Sequence, residues 1–506
     1  MRKSIVLHPF LFAISPILFL YAYNVDFTVW SEALVPMAIA TAVAILLFSA
    51  LSLILRDKEK AGLSVSLFLF LFFSYGHFSG ALERFRFGVG GFTIGPDGIL
   101  IPVWGILFAL GAYLIVKARR NLHAVTGFLN IAGASLVVIS LITILSYGMR
   151  RITWLDSRSG EAVEANPVDL ERADTLPDIY YIILDGYASA NALEEIWAYD
   201  NHEFIDHLRQ KGFYIASESR SNYACTFLSL ASSLNMEYIN YLSDMLGAES
   251  KDRYRPYEMI QDSAVMHFLK SRGYLFVHFQ SGWGPTASNH NANWDVQCGR
   301  VNEFVEVLVR TTVLRPLEGR LLAADKRERV LCTFSTLSEV QHRIEGPRFV
   351  FAHIVVPHPP FVFGPDGEPI DVDPDLRLPE AWRRYYLGQL TFANKKVEVL
   401  VDTILSEAET PAIIILQADH GAKSIREGGV PSTRLLTERM GILNAYYLPH
   451  NGKDFLYDSI TPVNSFRLIF NLYFNTSYDL LEDKIYYSKL ARPYDFLDVT
   501  DRLIGN

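Results

Sequence analysis

Long apolar runs dominate the first third of the chain. Five stretches are apolar over roughly 20 residues, the length that crosses a bilayer as a helix; they lie at about 5–23, 33–55, 62–82, 98–116 and 126–148. The first contains Pro9 and Pro16, which membrane helices tolerate, and no small-residue cleavage site follows it, which indicates an anchor rather than a removed signal peptide. The pattern predicts a five-helix transmembrane domain over 1–149.

Basic residues mark alternate loops of this domain. They are Arg2 and Lys3, then Arg56, Lys58 and Lys60, then Lys117, Arg119 and Arg120. The other loops carry only Arg84 and Arg86 close to Glu83, whereas Arg150 and Arg151 depart from the pattern. The positive-inside rule places the N-terminus in the cytoplasm and, after five spans, the rest of the chain outside it. One span more or fewer would invert this topology.

From Asp178 onward the pattern changes to short apolar runs that alternate with helical periodicity. The predicted strands are 178–184, 274–279, 348–355, 412–417 and 441–448, and the predicted helices are about 191–211, 226–236, 258–272, 302–324 and 380–408. This alternation predicts an α/β domain over 177–506, with a mostly parallel central sheet and helices on both faces. Residues 150–176, mixed charged and small, form the predicted juxtamembrane linker.

Composition and charge narrow the function classes. The net charge is −9, so nothing indicates nucleic-acid binding. The spans hold almost no ionisable residues, which argues against a transporter. The three cysteines, Cys225, Cys298 and Cys332, lack the CxxC spacing of structural zinc sites. The sequence allows a disulfide between Cys298 and Cys332 but does not establish it.

Two apolar strands end in metal-type ligands. Asp185 and a glycine follow the strand 178–184, and Asp419, His420 and a glycine follow the strand 412–417. Side chains at the carboxyl ends of parallel strands meet at one edge of a sheet, and carboxylate with imidazole suits zinc or manganese. The alternatives are a simple Asp-Gly turn for Asp185 and a helix cap with a core histidine for the second motif.

Two further residues carry candidate chemistry. Thr226 precedes a helical apolar pattern, where free backbone N–H groups favour an anion and a metal would activate the hydroxyl; the alternative is that it only caps the helix. His358 follows a strand between prolines and is a candidate phosphate contact or proton donor, or else a loop histidine. His353 is interpreted as a structural residue inside the strand.

The order Asp185, Thr226, His358, Asp419-His420-Gly421 resembles the alkaline phosphatase superfamily, whose domain is sulfatase-like. With five preceding spans, the chain resembles lipoteichoic acid synthases and lipid A phosphoethanolamine transferases. The resemblance implies one divalent metal, zinc or manganese, held by Asp185, Thr226, Asp419 and His420. It also implies that Thr226 is the nucleophile, that His358 contacts the phosphate, and that the protein lies in a bacterial cytoplasmic membrane with its catalytic domain outside.

The sequence departs from those families at three points. The two transferase families usually have glutamate where this chain has Asp185. The lipid A transferases also carry a histidine soon after their Asp-His-Gly motif, whereas no histidine occurs here between His420 and His450. Residues around Thr226 do not match the sulfatase pattern Cys-x-Pro-x-Arg. The candidate replacements for the missing substrate contact are Lys423, Arg426 and Arg434, and the candidate pocket residues are Asn222, His290, Trp294 and Asp295. An ordinary surface loop with one buried tryptophan is at least as good an interpretation of 282–295.

These observations together predict a membrane phosphotransferase. It would move a phospholipid-derived headgroup phosphate ester, of the phosphoethanolamine or phosphoglycerol type, through a phosphothreonine to an envelope glycan or lipid. We expect a monomer with no nucleic-acid partner. Two alternatives remain: a hydrolase of the same fold, and a non-catalytic envelope binding protein with a sulfatase-like domain.

Overall fold

The computed structural model describes residues 5–25, 28, 30–82, 87–89, 92–94, 96–118, 122–155, 176–370, 379–408, 410–424 and 430–504. Several residues named above lie outside the described residues: Arg2, Lys3, Glu83, Arg84, Arg86, Arg119, Arg120, Arg426 and most of the linker 150–176. The chain forms two compact units. The first comprises Met1–Glu164 and Val301–Leu322, and the second comprises Ala165–Arg300 and Ala323–Asn506.

The described helices and strands are numbered here in chain order. The helices are α1 (His8–Tyr23), α2 (Trp30–Leu55), α3 (Lys58–Leu82), α4 (Pro96–Lys117), α5 (His123–Leu155), α6 (Ala190–Trp197), α7 (His202–Gln210), α8 (Thr226–Asn235), α9 (Tyr241–Leu246), α10 (Tyr254–Gln261), α11 (Ala264–Ser271), α12 (Glu303–Thr311), α13 (Glu318–Arg343), α14 (Pro379–Glu407), α15 (Thr433–Met440), α16 (Pro462–Phe474) and α17 (Thr500–Ile504). The strands are β1 (Phe87–Val89), β2 (Phe92–Ile94), β3 (Asp178–Leu184), β4 (Tyr214–Ile215), β5 (Leu275–Phe279), β6 (Trp294–Val296), β7 (Arg348–Ile354), β8 (Ala412–Gln417), β9 (Asn444–Tyr447), β10 (Tyr486–Lys489) and β11 (Arg492–Asp498).

The first unit contains the apolar helices α1–α5, each of which overlaps one predicted span, although α5 continues to Leu155, within the predicted linker. Four of them, α2–α5, are long and apolar enough to cross a membrane, whereas α1 is apolar but has only 16 residues. Large apolar side chains of α2 such as Leu46, Leu53 and Ile54 are exposed, as expected of a surface that faces lipid rather than water.

A later segment belongs to the first unit as well. Phe304 and Leu308 of α12 are buried in one cluster with apolar residues of α1, α2 and α3. After α12, the Val313 amide donates to Phe72 O over 3.0 Å, and Arg315 donates to Gly76 O over 2.9 Å. The sequence-based division counted 301–322 with the globular half. The difference arises because the amphipathic pattern of α12 shows that one face is buried but not what covers it.

The second unit is built on a seven-stranded sheet in the order β4-β9-β8-β3-β7-β5-β6. The five strands from β8 to β6 run parallel, and β9 pairs antiparallel with β8 and with β4. The mixed, mostly parallel sheet confirms the predicted fold class. The five predicted strands are β3, β5, β7, β8 and β9, and the shorter β4 and β6 were not predicted.

Helices pack on both faces of this sheet. Alternate residues of β3 enter two separate cores: Tyr180 and Ile182 lie in one, and Tyr181 and Ile183 in the other. Every residue of β3 and β8 is buried, which explains why both read as continuous apolar runs rather than alternating ones. A disulfide joins Cys298 to Cys332, with 5.6 Å between their Cα atoms, and decides the pairing that the sequence left open.

Candidate metal and phosphoryl-transfer site

The candidate site lies at the carboxyl ends of the three central parallel strands. β3 pairs with β7 through Ile183 and His353, and with β8 through Ile183 and Gln417. Asp185 directly follows β3, and Asp419 follows the last residue of β8 by two positions, so parallel register brings both carboxylates and His353 to the same edge.

Three buried side chains there form a group that could hold a metal ion: Asp185, His353 and Asp419, with one ligand atom of each within 4.8 Å of the others. His353 Nε2 lies 3.4 Å from Asp185 Oδ2. Asp185 Oδ1, Asp419 Oδ2 and His353 Nε2 are buried and have no hydrogen-bond partner within the described part of the chain. Buried polar atoms are rarely left unpaired, so the donor set fits a divalent cation, which would satisfy all three.

The other two predicted ligands adjoin this group. His420 Nε2 lies 3.2 Å from Asp419 Oδ2 and 3.8 Å from Asp185 Oδ1. Thr226 Oγ1 lies 3.1 Å from His420 Nε2. Residues separated by more than 200 positions in the sequence thus surround one small volume.

Thr226 is placed by the start of α8. It is the first residue of that helix, and the Leu228 amide bonds to the carbonyl of the preceding Cys225. Both neighbours of Thr226 are buried, whereas Thr226 is partly exposed. Its hydroxyl therefore lies at the positive end of a helix dipole and remains accessible, which suits an anionic substrate.

The charges of the cluster favour metal binding. Burial raises the pKa of Asp419 to about 6, and the charge of Asp185 adds to this effect. Burial acts on Asp185 in the same direction, but the His358 and His353 imidazoles outweigh it and hold the pKa of Asp185 below its usual range. Burial, and then the Arg439 guanidinium, hold the pKa of His420 well below its usual value. An ionised Asp185 and a neutral His420 are the protonation states that ligate metals.

His358 lies beside the cluster rather than in it. Its amide donates to Asp185 O over 3.0 Å, and its ring centroid lies 6.2 Å from that of His420. Its Nδ1 lies 2.6 Å from Pro359 O, which fixes the direction of the ring. The side chain is partly exposed, so it can reach a bound substrate.

Helix α14 holds the two loops that carry Asp185 and His358. The Tyr386 hydroxyl donates to Gly186 O over 2.9 Å and accepts from the Ala188 amide. The Gln389 side chain donates to the carbonyls of Pro357 and His358 and accepts from the Val362 and Phe363 amides. Both side chains are buried and one helical turn apart.

The predicted pocket residues lie elsewhere in the structure. The buried Asn222 accepts from the Val463 amide and donates to Lys484 O, so it joins backbone segments. Asp295 on β6 pairs with His278 on β5 and with Gln280, which directly follows β5. Trp294 packs against the core from β6, His290 is exposed in a turn, and Arg434 is exposed on α15 with a contact to Ile196 O. These contacts give the five residues no part in the metal cluster, and a substrate role for them stays a prediction.

The sequence interpretation missed His353. It assigned this residue to the strand, which is right, but gave it a purely structural role. Phe349, Phe351 and His353 alternate along β7, and the two phenylalanines lie in the buried core on one face of the sheet. A histidine at the carboxyl end of an otherwise apolar strand face was the available signal.

No family model matches the chain, and no curated protein matches it. Solved phosphoethanolamine transferases and sulfatases do match it. The integral membrane phosphoethanolamine transferase A of Neisseria meningitidis is 11% identical, with 93% of this chain and 96% of that chain covered and a TM-score of 0.40. The periplasmic domain of the Campylobacter jejuni phosphoethanolamine transferase is 13% identical over 61% of this chain and 92% of that chain, with a TM-score of 0.40.

The phosphonate monoester hydrolase of Agrobacterium radiobacter is 12% identical over 65% of this chain and 83% of that chain, with a TM-score of 0.42. The matches thus include proteins of the sulfatase-like kind that the motif order resembles. Because the identities and TM-scores are low, the functional proposal rests on the residues of the site.

Proposed function

We propose that the chain is a metal-dependent phosphotransferase that uses Thr226 as its nucleophile. The observation that carries the proposal is the set of three buried, unpartnered ligand atoms of Asp185, His353 and Asp419, next to His420 and the accessible Thr226 hydroxyl.

Asp185, His353, Asp419 and His420 would hold the cation, with Thr226 beside it. When bound, a zinc or manganese ion supplies positive charge for the phosphoryl oxygens and lowers the pKa of the threonine hydroxyl. The two carboxylates bring two negative charges into a buried site, and a divalent cation balances them.

The reaction follows from where the side chains lie. Thr226 loses its hydroxyl proton to water, and Oγ1 forms a bond to phosphorus while the bond from phosphorus to the lipid alcohol oxygen breaks. His358 gives that oxygen a proton. An acceptor hydroxyl then gives its proton to His358 and forms a bond to phosphorus while the bond from phosphorus to Thr226 Oγ1 breaks, and Oγ1 takes a proton back from water. The N-terminal end of α8 stabilises the charge on the phosphoryl oxygens throughout.

The proposed donor is a membrane phospholipid and the proposed acceptor an envelope glycan or lipid, with the catalytic unit on the outer side of a bacterial cytoplasmic membrane. The apolar helices of the first unit support the membrane part of this proposal. The Cys298–Cys332 disulfide supports the outer location, because disulfides persist in oxidising compartments.

Intact-mass analysis of the protein purified from its host membrane tests the role of Thr226. We expect an added mass at Thr226 equal to the transferred phosphate ester, absent from Thr226→Ala and retained at a lower level in Thr226→Ser, which keeps a hydroxyl. Labelling that survives Thr226→Ala would show that another residue is the nucleophile.

A hydrolase is the second candidate, because the accessible side of Thr226 admits water as readily as an alcohol. Product analysis with and without envelope lipids and glycans separates the two reactions. Transfer predicts a phosphorylated acceptor; hydrolysis predicts the free phosphate ester in both cases. Absence of metal and of turnover in the purified wild-type protein would favour the non-catalytic alternative.

A further inference from the structure

We infer that Thr286 is a positioning residue for the metal site and that it acts through His353. This inference rests on the proposed function, since it concerns how one of the proposed ligands is held. Thr286 is fully buried, and its Oγ1 lies 2.8 Å from His353 Nδ1, on the opposite side of the imidazole from Asp185.

The hydroxyl of Thr286 has its own acceptors. Thr286 Oγ1 lies 3.2 Å from Trp283 O and 2.7 Å from Ser281 Oγ. Ser281 Oγ in turn accepts from the Trp283 amide over 3.0 Å. The hydroxyl proton of Thr286 can therefore point at Trp283 O, which leaves an oxygen lone pair directed at His353 Nδ1.

This arrangement selects a tautomer. An imidazole whose Nδ1–H donates to Thr286 presents an unprotonated Nε2 to Asp185 and Asp419, and only an unprotonated nitrogen ligates a metal. The opposite tautomer would place an N–H at Nε2, 3.4 Å from Asp185 Oδ2, which is too long for a good hydrogen bond.

The loop that holds Thr286 is itself tied down. The Ser281 amide donates to Thr286 O over 2.9 Å, and the Thr286 amide donates to Trp283 O over 3.0 Å. The Trp283 ring packs edge-on against His353, with 5.4 Å between the ring centroids. The imidazole is therefore held through Nδ1 and through its face, and only Nε2 is directed at the carboxylates.

Thr286→Val tests the inference because valine keeps the shape but removes the acceptor. A buried Nδ1–H without a partner is costly. The population therefore shifts to the tautomer with a protonated Nε2, and metal binding weakens. We expect the affinity of the full-length protein for Zn²⁺, measured in detergent by competition with a chromophoric chelator, to fall roughly 10–100-fold. Thr286→Ser, which restores the hydroxyl, should recover most of it, and the visible spectrum of the Co²⁺-loaded protein should change only in the valine variant.

A double-mutant cycle distinguishes this role from a general structural one. In a His353→Ala background, Thr286→Val should cause no further loss of Zn²⁺ affinity, whereas a merely destabilising substitution would weaken binding again. Equal Zn²⁺ affinities of the wild type and Thr286→Val would overturn the inference while leaving the proposed function intact. A wild type that binds neither Zn²⁺ nor Mn²⁺ would overturn the metal site itself.

Discussion

The residues of the site were predictable to the extent that each carried a local signal. Asp185 and Asp419 follow apolar strands, a glycine stands one or two positions after each of them, and Thr226 begins a helical pattern, so their neighbours in sequence reveal them. The signal of His353 was weaker, a histidine at the carboxyl end of an apolar strand face, and only the register of β7 against β3 shows that it lies near Asp185. Thr286 was invisible for the same reason: its partner is 67 positions away.

At the scale of single residues, the two buried carboxylates lead to a prediction about stability. Asp185 Oδ1 and Asp419 Oδ2 have no hydrogen-bond partner among the described residues and carry like charge, so a cation should stabilise the folded wild type. We expect excess Zn²⁺ to raise the melting temperature of the chelator-treated full-length protein by several degrees, since ligand at 100 times its Kd contributes about 2.7 kcal/mol. In Asp419→Asn, whose Oδ1 can still accept from the Gly186 amide, this increase should disappear.

The matched control is Asp295→Asn, which changes a carboxylate on β6 that pairs with His278 on β5, outside the metal cluster. This variant should keep the Zn²⁺-dependent increase in melting temperature. An Asp419→Asn protein that melts at the same Zn²⁺-raised temperature as the wild type would exclude Asp419 as a ligand.

Elements with a strong local sequence pattern were predicted well. Elements whose bounds depend on contacts with other parts of the fold were not. β3 and β8 match their predicted bounds, because full burial produces an unbroken apolar run. The predicted helix 191–211 is instead two helices, α6 and α7, because Ala198 adopts a left-handed conformation with φ of 48° that ends α6. Ala198 itself gives no signal of this stop, since alanine usually favours a helix.

Helix α14 was predicted as an element, but its function was not. Gln389 bonds to four backbone groups of the segment 357–363, so Gln389→Leu should leave buried donors and acceptors unpaired while nearly conserving volume. We expect the free energy of unfolding in urea to fall by about 3 kcal/mol. Because His358 lies in this segment, turnover should fall further than Zn²⁺ affinity, and amide hydrogen exchange should rise at 357–363.

Val399→Ala, at an exposed position of the same helix, is the control and should change neither quantity measurably. If Gln389→Leu lowered stability without raising exchange at 357–363, the side chain would stabilise the helix packing but would not hold the His358 loop.

At the scale of the whole molecule, the order of units along the chain was predicted but their composition was not. The apolar runs predict α1–α5, and the alternation of short apolar runs with helical periodicity predicts the sheet. The return of Val301–Leu322 to the first unit depends on which surface covers Phe304 and Leu308, and a sequence pattern does not state this. The pairing of Cys298 with Cys332 could likewise be established only from the fold, because the end of β6 and helix α13 bring the two cysteines together across 34 positions.

That disulfide yields a prediction about the compartment and the stability of the second unit. Closing a loop of this length stabilises a fold by about 3–4 kcal/mol in the chain-entropy account, so Cys298→Ser with Cys332→Ser should lower the melting temperature, and a reductant should lower that of the wild type alone. In protein taken from intact cells under alkylating, denaturing conditions, one thiol should react before reduction and three after it. The one is Cys225, which is not part of the disulfide and serves as the internal reference. Three reactive thiols without any reductant would place the second unit in a reducing compartment, where an envelope lipid or glycan could not be its acceptor.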